Sequence, residues 1–127
     1  MEYPDTYKPK IIYAVDQESI ARLVDFKLSK EEFDVILLNS GENVLEKVIE
    51  QKPVLILLDL MLPIKDGLRV LEELKSNDEV KNIPVIMISV HGGKQKVMQA
   101  INSGAVDYIQ KPLSIDELTT RIHKALA

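Results

Sequence analysis

At 127 residues the chain has the length of one ordinary domain, enough for a single substantial core. An apolar fraction of 46% beside 28% charged residues describes a globular chain, and a net charge of −4 argues against nucleic acid as a direct partner. Without cysteine there is no disulfide framework or thiol chemistry. No apolar run is long enough to cross a membrane and no signal-peptide pattern opens the chain, so no membrane partner and a cytoplasmic location are expected.

Residues 1–9, with Pro4 and Pro9, read as an extended lead-in, and 10–127 as one domain without repeats or linkers. Lys10 to Val15 is a first apolar strand that runs into Asp16. Ile20, Leu23, Val24 and Leu28 follow at helical spacing. Phe33 to Leu38 makes a second strand, and Val44, Leu45, Val48 and Ile49 mark the inward side of a second helix. The third strand, Val54 to Leu58, lacks polar alternation, as expected where both faces of a parallel sheet are covered, and it stops at Asp59. Pro63 and Asp66-Gly67 turn the chain into a helix from about Leu68 to Lys75. Pro84 to Ser89 is a fourth strand, followed by a His91-Gly92-Gly93 loop and a helix carrying Val97, Met98, Ala100 and Ile101 that stops at Gly104. Ala105 to Gln110 is a fifth strand ending at Lys111-Pro112. Ser114 and Glu117 form a capping box before a last helix with Leu118, Ile122 and Leu126 inward.

Five apolar strands alternating with five helical patterns predict a doubly wound α/β fold, a five-stranded parallel sheet flanked by five helices in three layers. Right-handed crossovers put every strand's carboxyl end on one rim. Asp16, Asp59, Ser89 and Lys111 should therefore meet there, although they are scattered along the chain. Each has a plainer role when taken singly: Asp59 as a loop acid, Asp16 as a helix cap, Ser89 bonded to backbone, Lys111 on the surface. Tyr108 would be half-buried and His91 an ordinary loop residue. Together, two carboxylates suit Mg2+, which takes one or two protein carboxylates and keeps waters and phosphate oxygens. A carboxylate flanked by that metal can attack phosphorus, while Lys111 and the Ser89 hydroxyl oppose the charge that results.

From about Lys10 to Ala127 the chain resembles the receiver domain of two-component response regulators, a flavodoxin-like fold. Leu57-Leu58-Asp59-Leu60-Met61-Leu62-Pro63 with Asp66-Gly67 is similar to the family's phosphoacceptor signature. Pro84 to Ser89 is similar to its fourth strand, and Gly104-Ala105 through Tyr108 to Lys111-Pro112 to its fifth. The resemblance implies a phosphorylation-dependent signalling switch, a phosphoprotein and not an enzyme beyond its own phosphorylation and slow dephosphorylation. It implies that Asp59 takes a phosphoryl group from the phosphohistidine of a sensor histidine kinase or phosphotransfer protein, with Mg2+ held by Asp16, Asp59 and the Met61 backbone carbonyl. Lys111 would contact the phosphoryl group, Ser89 would be the switch hydroxyl, Tyr108 the switch aromatic that turns inward, and Pro112 would follow a cis bond.

One departure stands out: the family pairs two acids after the first strand, whereas here Val15 precedes Asp16. The loss of a carboxylate predicts weaker Mg2+ binding and leaves a degenerate, phosphate-independent receiver as the alternative. An aspartyl-nucleophile phosphatase would want an acid two residues after the nucleophile, where Met61 stands. A flavin carrier would want a small-residue phosphate loop where Asp16-Gln17-Glu18 is acidic. The resemblance places the output face on residues 94–102, 105–110 and 115–122, with Lys94, Lys96, Gln99, Gln110, Thr119 and Arg121, and the kinase near Ile20, Leu23 and Val24. The downstream partner would be a separate protein target or an output domain outside this sequence.

Overall fold

The computed structural model describes residues 8–90, 94–111 and 114–127. Most of the expected lead-in, the His91-Gly92-Gly93 loop and the Pro112 peptide lie outside the described residues. The elements in order are β1 (Lys10–Ala14), α1 (Glu18–Lys30), β2 (Asp34–Leu38), α2 (Val44–Gln51), β3 (Leu55–Asp59), α3 (Gly67–Lys75), β4 (Val85–Ser89), α4 (Lys94–Asn102), β5 (Asp107–Gln110) and α5 (Ile115–Leu126). The strands form one sheet in the order β2-β1-β3-β4-β5, every neighbouring pair parallel.

Both faces of that sheet are covered, which is why its central strands read as unbroken apolar runs. Ile11, Tyr13, Leu55, Leu57, Ile86 and Ile88 pack against Ala21, Val24 and Leu28 of α1 and Leu118 and Ile122 of α5. Ile12, Ile56, Leu58 and Met87 point the other way, onto α2, α3 and α4 through Val48, Val70, Leu71 and Ala100. Truncating a fully buried leucine such as Leu58 to alanine costs about 2–5 kcal/mol in a core of this kind.

Local chemistry sets the ends of the helices. The Asp66 side chain accepts from the Arg69 amide at 3.0 Å and opens α3. Ser114 Oγ accepts from the Glu117 amide at 3.3 Å and opens α5, while the Glu117 carboxylate lies 3.1 Å from Arg121. Gly104, at φ +109, ends the α4 segment in a conformation that suits glycine. The helical patterns overcount the core in places. Leu23 is 55% exposed, Met98 51%, Ile101 43% and Leu126 37%, so α1, α4 and α5 have a narrower inward stripe than their apolar residues suggest.

The strand order reverses at β1, whose neighbours β2 and β3 lie on opposite sides. At such a switch point, the crossovers leave the sheet on opposite faces and open a crevice at the strands' carboxyl ends. In this sheet that crevice lies beyond Ala14 and Asp59.

Candidate functional site

Asp59 is the last residue of β3 and only 2% exposed. A carboxylate at that depth needs a partner, because desolvating an unpaired charge costs several kcal/mol, an order of magnitude only. Lys111 supplies it from the end of β5, with Nζ 2.5 Å from Asp59 Oδ2, the two side chains 7% and 4% exposed. The chain is led there by the sheet itself: Asp59 is level with Ile88, and the Lys111 amide donates to the Ser89 carbonyl at 2.8 Å. The other carboxylate oxygen, Oδ1, accepts from the Met61 amide at 3.3 Å.

The loop after β3 is pinned by close backbone approaches. Gly67 lies so near the end of β3 that a Cβ there would sit 2.2 Å from the Asp59 carbonyl oxygen, and its amide donates to Leu60 at 2.8 Å. Within the loop, Ile64 holds a positive φ of 73° although it is β-branched and 75% exposed.

Asp16 is exposed on the rim, two residues beyond β1. Ala14, the last residue of β1, pairs with Leu58, the residue before Asp59, and Asp16 follows two residues later in the loop beyond β1. It also lines a cavity of about 520 Å³ with Val15, Glu18, Ser40 and Asn43. Val15 is 3% exposed and belongs to the core under α1 and α5. Ser89 is fully buried at the end of β4. Tyr108 is level with Met87 and packs with it in the core under α2, α3 and α4; alternation puts Ser89, two residues past Met87, on that same face. Tyr108 is 9% exposed, deeper than the half-buried position expected of it, and it already points inward.

Two residues escaped the sequence reading. Gln17 Oε1 accepts from Lys111 Nζ at 2.9 Å, and its only signal in the sequence was its place beside Asp16. Tyr13 sits within β1, level with Leu57, fully buried, its hydroxyl without a hydrogen-bond partner among the described residues. Burial first, and the Asp59 charge second, push this phenol well above the ordinary tyrosine range. It looks like core filling in the sequence because a tyrosine in an apolar run carries no mark of where its hydroxyl ends.

The donor chemistry, carboxylates with no thiolate or imidazole, fits a hard divalent cation such as Mg2+. Among the described residues there is no group of three or more His, Cys, Asp or Glu that could hold a metal ion. Asp59 keeps acceptor capacity on Oδ1 and Asp16 is exposed just beyond the neighbouring strand, a donor set that suits a cation relying on water and substrate oxygens for its remaining ligands.

Around the site the surface is uneven. On α1, Val24 is core, while Leu23 is exposed and Phe26 is 62% exposed beneath the Lys30 ammonium at 4.4 Å. On α4, β5 and the turn between them, Lys94, Lys96, Gln99 and Gln110 are exposed, together with Met98, Ile101 and Val106. Arg121 is only partly available, since it pairs with Asp107 at 2.6 Å and with Glu117.

This sheet order, with a buried Asp–Lys pair joining the carboxyl ends of β3 and β5, defines a doubly wound α/β domain, and comparison with known proteins gives its family. Residues 11–123 match the response regulator receiver domain, and the chain belongs to that family of two-component systems. It is 37% identical over 113 residues to the transcriptional regulatory protein KdpE of Staphylococcus aureus (strain NCTC 8325 / PS 47), covering 89% of this chain and 48% of that protein. The chain thus spans about half the length of this curated relative. The crystal structure of the receiver domain of NtrX from Brucella abortus is similar at 33% identity and a TM-score of 0.83, covering 91% of this chain and 97% of that one. The BeF3-activated N-terminal receiver domain of RstA from Klebsiella pneumoniae is similar at 28% identity and a TM-score of 0.86, covering 92% and 97%. No described helix is long and apolar enough to cross a membrane.

Proposed function

We propose that this receiver domain is a phosphorylation switch with Asp59 as the phosphoacceptor. The observation that carries the reading is the buried pair of Asp59 and Lys111 at the carboxyl end of the central strand. An Asp59 carboxylate oxygen attacks the phosphorus of a kinase or phosphotransfer phosphohistidine; the P–N bond breaks and the imidazole leaves with its electron pair. Asp59 loses its carboxylate charge and gains a group bearing nearly two negative charges, to which the Lys111 ammonium redirects the hydrogen bond it now gives Asp59 Oδ2. Asp16, Asp59 and the Met61 carbonyl are the residues that would hold Mg2+, whose contribution is to neutralise charge between acceptor and phosphoryl group. With Val15 in place of a second acid, we expect that affinity to be lower than in a two-acid receiver.

Ser89 would donate its hydroxyl to a phosphoryl oxygen and draw the face it shares with Tyr108 toward the site. Because Tyr108 is already inward, phosphorylation would increase the population of this arrangement rather than create it, biasing the surface of α4, β5 and α5 by a few kcal/mol, on the order of a regulatory shift. That surface would then bind a protein target or an output domain, as the relation to a transcriptional regulator suggests. The domain catalyses nothing beyond its own phosphorylation and slow hydrolysis, and would work in the cytoplasm.

The test is incubation with acetyl phosphate and Mg2+, read by intact mass. One phosphate adduct, absent from Asp59→Asn, is expected. An unmodified wild-type chain would overturn the reading in favour of a receiver that signals without phosphate.

A further inference from the structure

Lys111 is held at two points, and only one of them is an acid. Its Nζ lies 2.5 Å from Asp59 Oδ2 and 2.9 Å from Gln17 Oε1. Gln17 stands at the N-cap of α1, with φ −93° and ψ 102°, and its carbonyl takes the first helical bond, from the Ala21 amide at 3.0 Å. Helix starts favour Ser, Thr, Asp or Asn here, because a short oxygen reaches back to the orphan amides. The Gln17 side chain makes no such bond. It reaches across the rim to the lysine instead.

We propose that Gln17 is a positioning residue for Lys111: a neutral tether that fixes the ammonium on the rim while its other bond changes from the Asp59 carboxylate to the incoming phosphoryl group. The idea rests on the proposed phosphoacceptor role of Asp59. An ammonium carries three donors, so two bonds to protein still leave one for a phosphoryl oxygen. A tether is useful because a lysine stem has four rotatable bonds, and once Asp59 is esterified its charge no longer holds Nζ in place. Neutrality matters as well. An amide oxygen accepts from the ammonium without offering a second negative charge to compete with the phosphoryl group, whereas a carboxylate at this position would. The first acid of the family pattern is replaced by buried Val15, so Asp59 and Gln17 are the groups that grip this lysine among the described residues.

The test is Gln17→Ser, which shortens the reach and supplies a better helix cap, so structural and positioning roles move in opposite directions. The expected result is an unfolding midpoint equal to or above that of wild type, together with a threefold or greater loss in the rate of acetyl phosphate labelling at Asp59. The Lys111 ammonium protons, followed by NMR in the unphosphorylated chain at neutral pH, should exchange with water at least threefold faster in the variant. Gln17→Glu, which keeps reach and acceptor, should restore slow exchange but not the labelling rate. Unchanged ammonium exchange in Gln17→Ser would overturn the tether whatever the labelling shows, and so would an unchanged labelling rate. If the wild-type chain takes no phosphate at all, the phosphoacceptor reading fails, and with it the switching role; the ammonium exchange then reports only whether the bond exists.

Discussion

Replacing Tyr13 with phenylalanine removes a single oxygen atom from the middle of the sheet, and the structure sets the sign of the effect. Tyr13 is fully buried in β1 between Leu37 and Leu57, and its hydroxyl has no hydrogen-bond partner among the described residues. A buried hydroxyl without a partner costs about 1–3 kcal/mol relative to water, and phenylalanine keeps the ring that fills the core. Allowing for the small void left behind, Tyr13→Phe should gain about 1 kcal/mol, or roughly 3–5 °C in melting temperature for a domain of this size. A pH signature accompanies it. The folded phenol titrates above its ordinary value near 10, so below that pH both states are protonated and the contribution is constant. Above it the unfolded chain releases the proton and the folded chain does not, so wild-type stability falls by up to about 1.4 kcal/mol per pH unit from this residue alone. Urea unfolding at pH 7 and at pH 10.5 measures both effects, and the gap between variant and wild type should widen at the higher pH. A variant less stable than wild type at pH 7 would refute the reasoning, because the hydroxyl would then be bonded.

Lys111→Met leaves the Asp59 carboxylate buried and unpaired, and should lower stability at neutral pH by about 3 kcal/mol in urea unfolding; an unchanged midpoint would mean that the pair is not formed. Val15→Asp should tighten Mg2+ about tenfold in a calorimetric titration, while it lowers metal-free stability by ~2 kcal/mol, since the new charge enters a position 3% exposed. Ile64→Gly should raise the unfolding free energy by about 1 kcal/mol in urea unfolding, because a β-branched residue at φ 73° is strained and, at 75% exposed, gives up little packing; a loss would show that the side chain is needed.

The sheet was legible because burial on both faces writes itself into sequence as apolar runs, and each run stopped close to where its strand stops. The convergence of Asp59 and Lys111 followed from alternation alone, since crossovers of one hand leave no other rim for them. Side chains that reach were not legible. Gln17 is 94 residues from Lys111 in the chain and reaches it through three rotatable bonds, so nothing in its neighbours marks it. Met98, Ile101 and Leu23 fit a helical spacing, yet they face water, because spacing gives a face and not the width of what covers it. Ile64 reads as an ordinary loop residue, since positive φ is a property of the turn and leaves no trace when glycine is absent.

The charges at the rim link the missing acid to the rest of the site. With Val15 apolar, the buried part of the site holds one carboxylate and one ammonium, and these neutralise each other at 2.5 Å. A second buried carboxylate would leave an excess negative charge, destabilising the metal-free fold and attracting a divalent cation in proportion. On that reasoning a site with one buried acid would be quieter at rest and would call less strongly for metal. The same balance raises the demand on Lys111. On the proposed phosphoacceptor role of Asp59, a more weakly held cation would leave more of the phosphoryl charge to the ammonium, and its placement by Asp59 and Gln17 would matter the more.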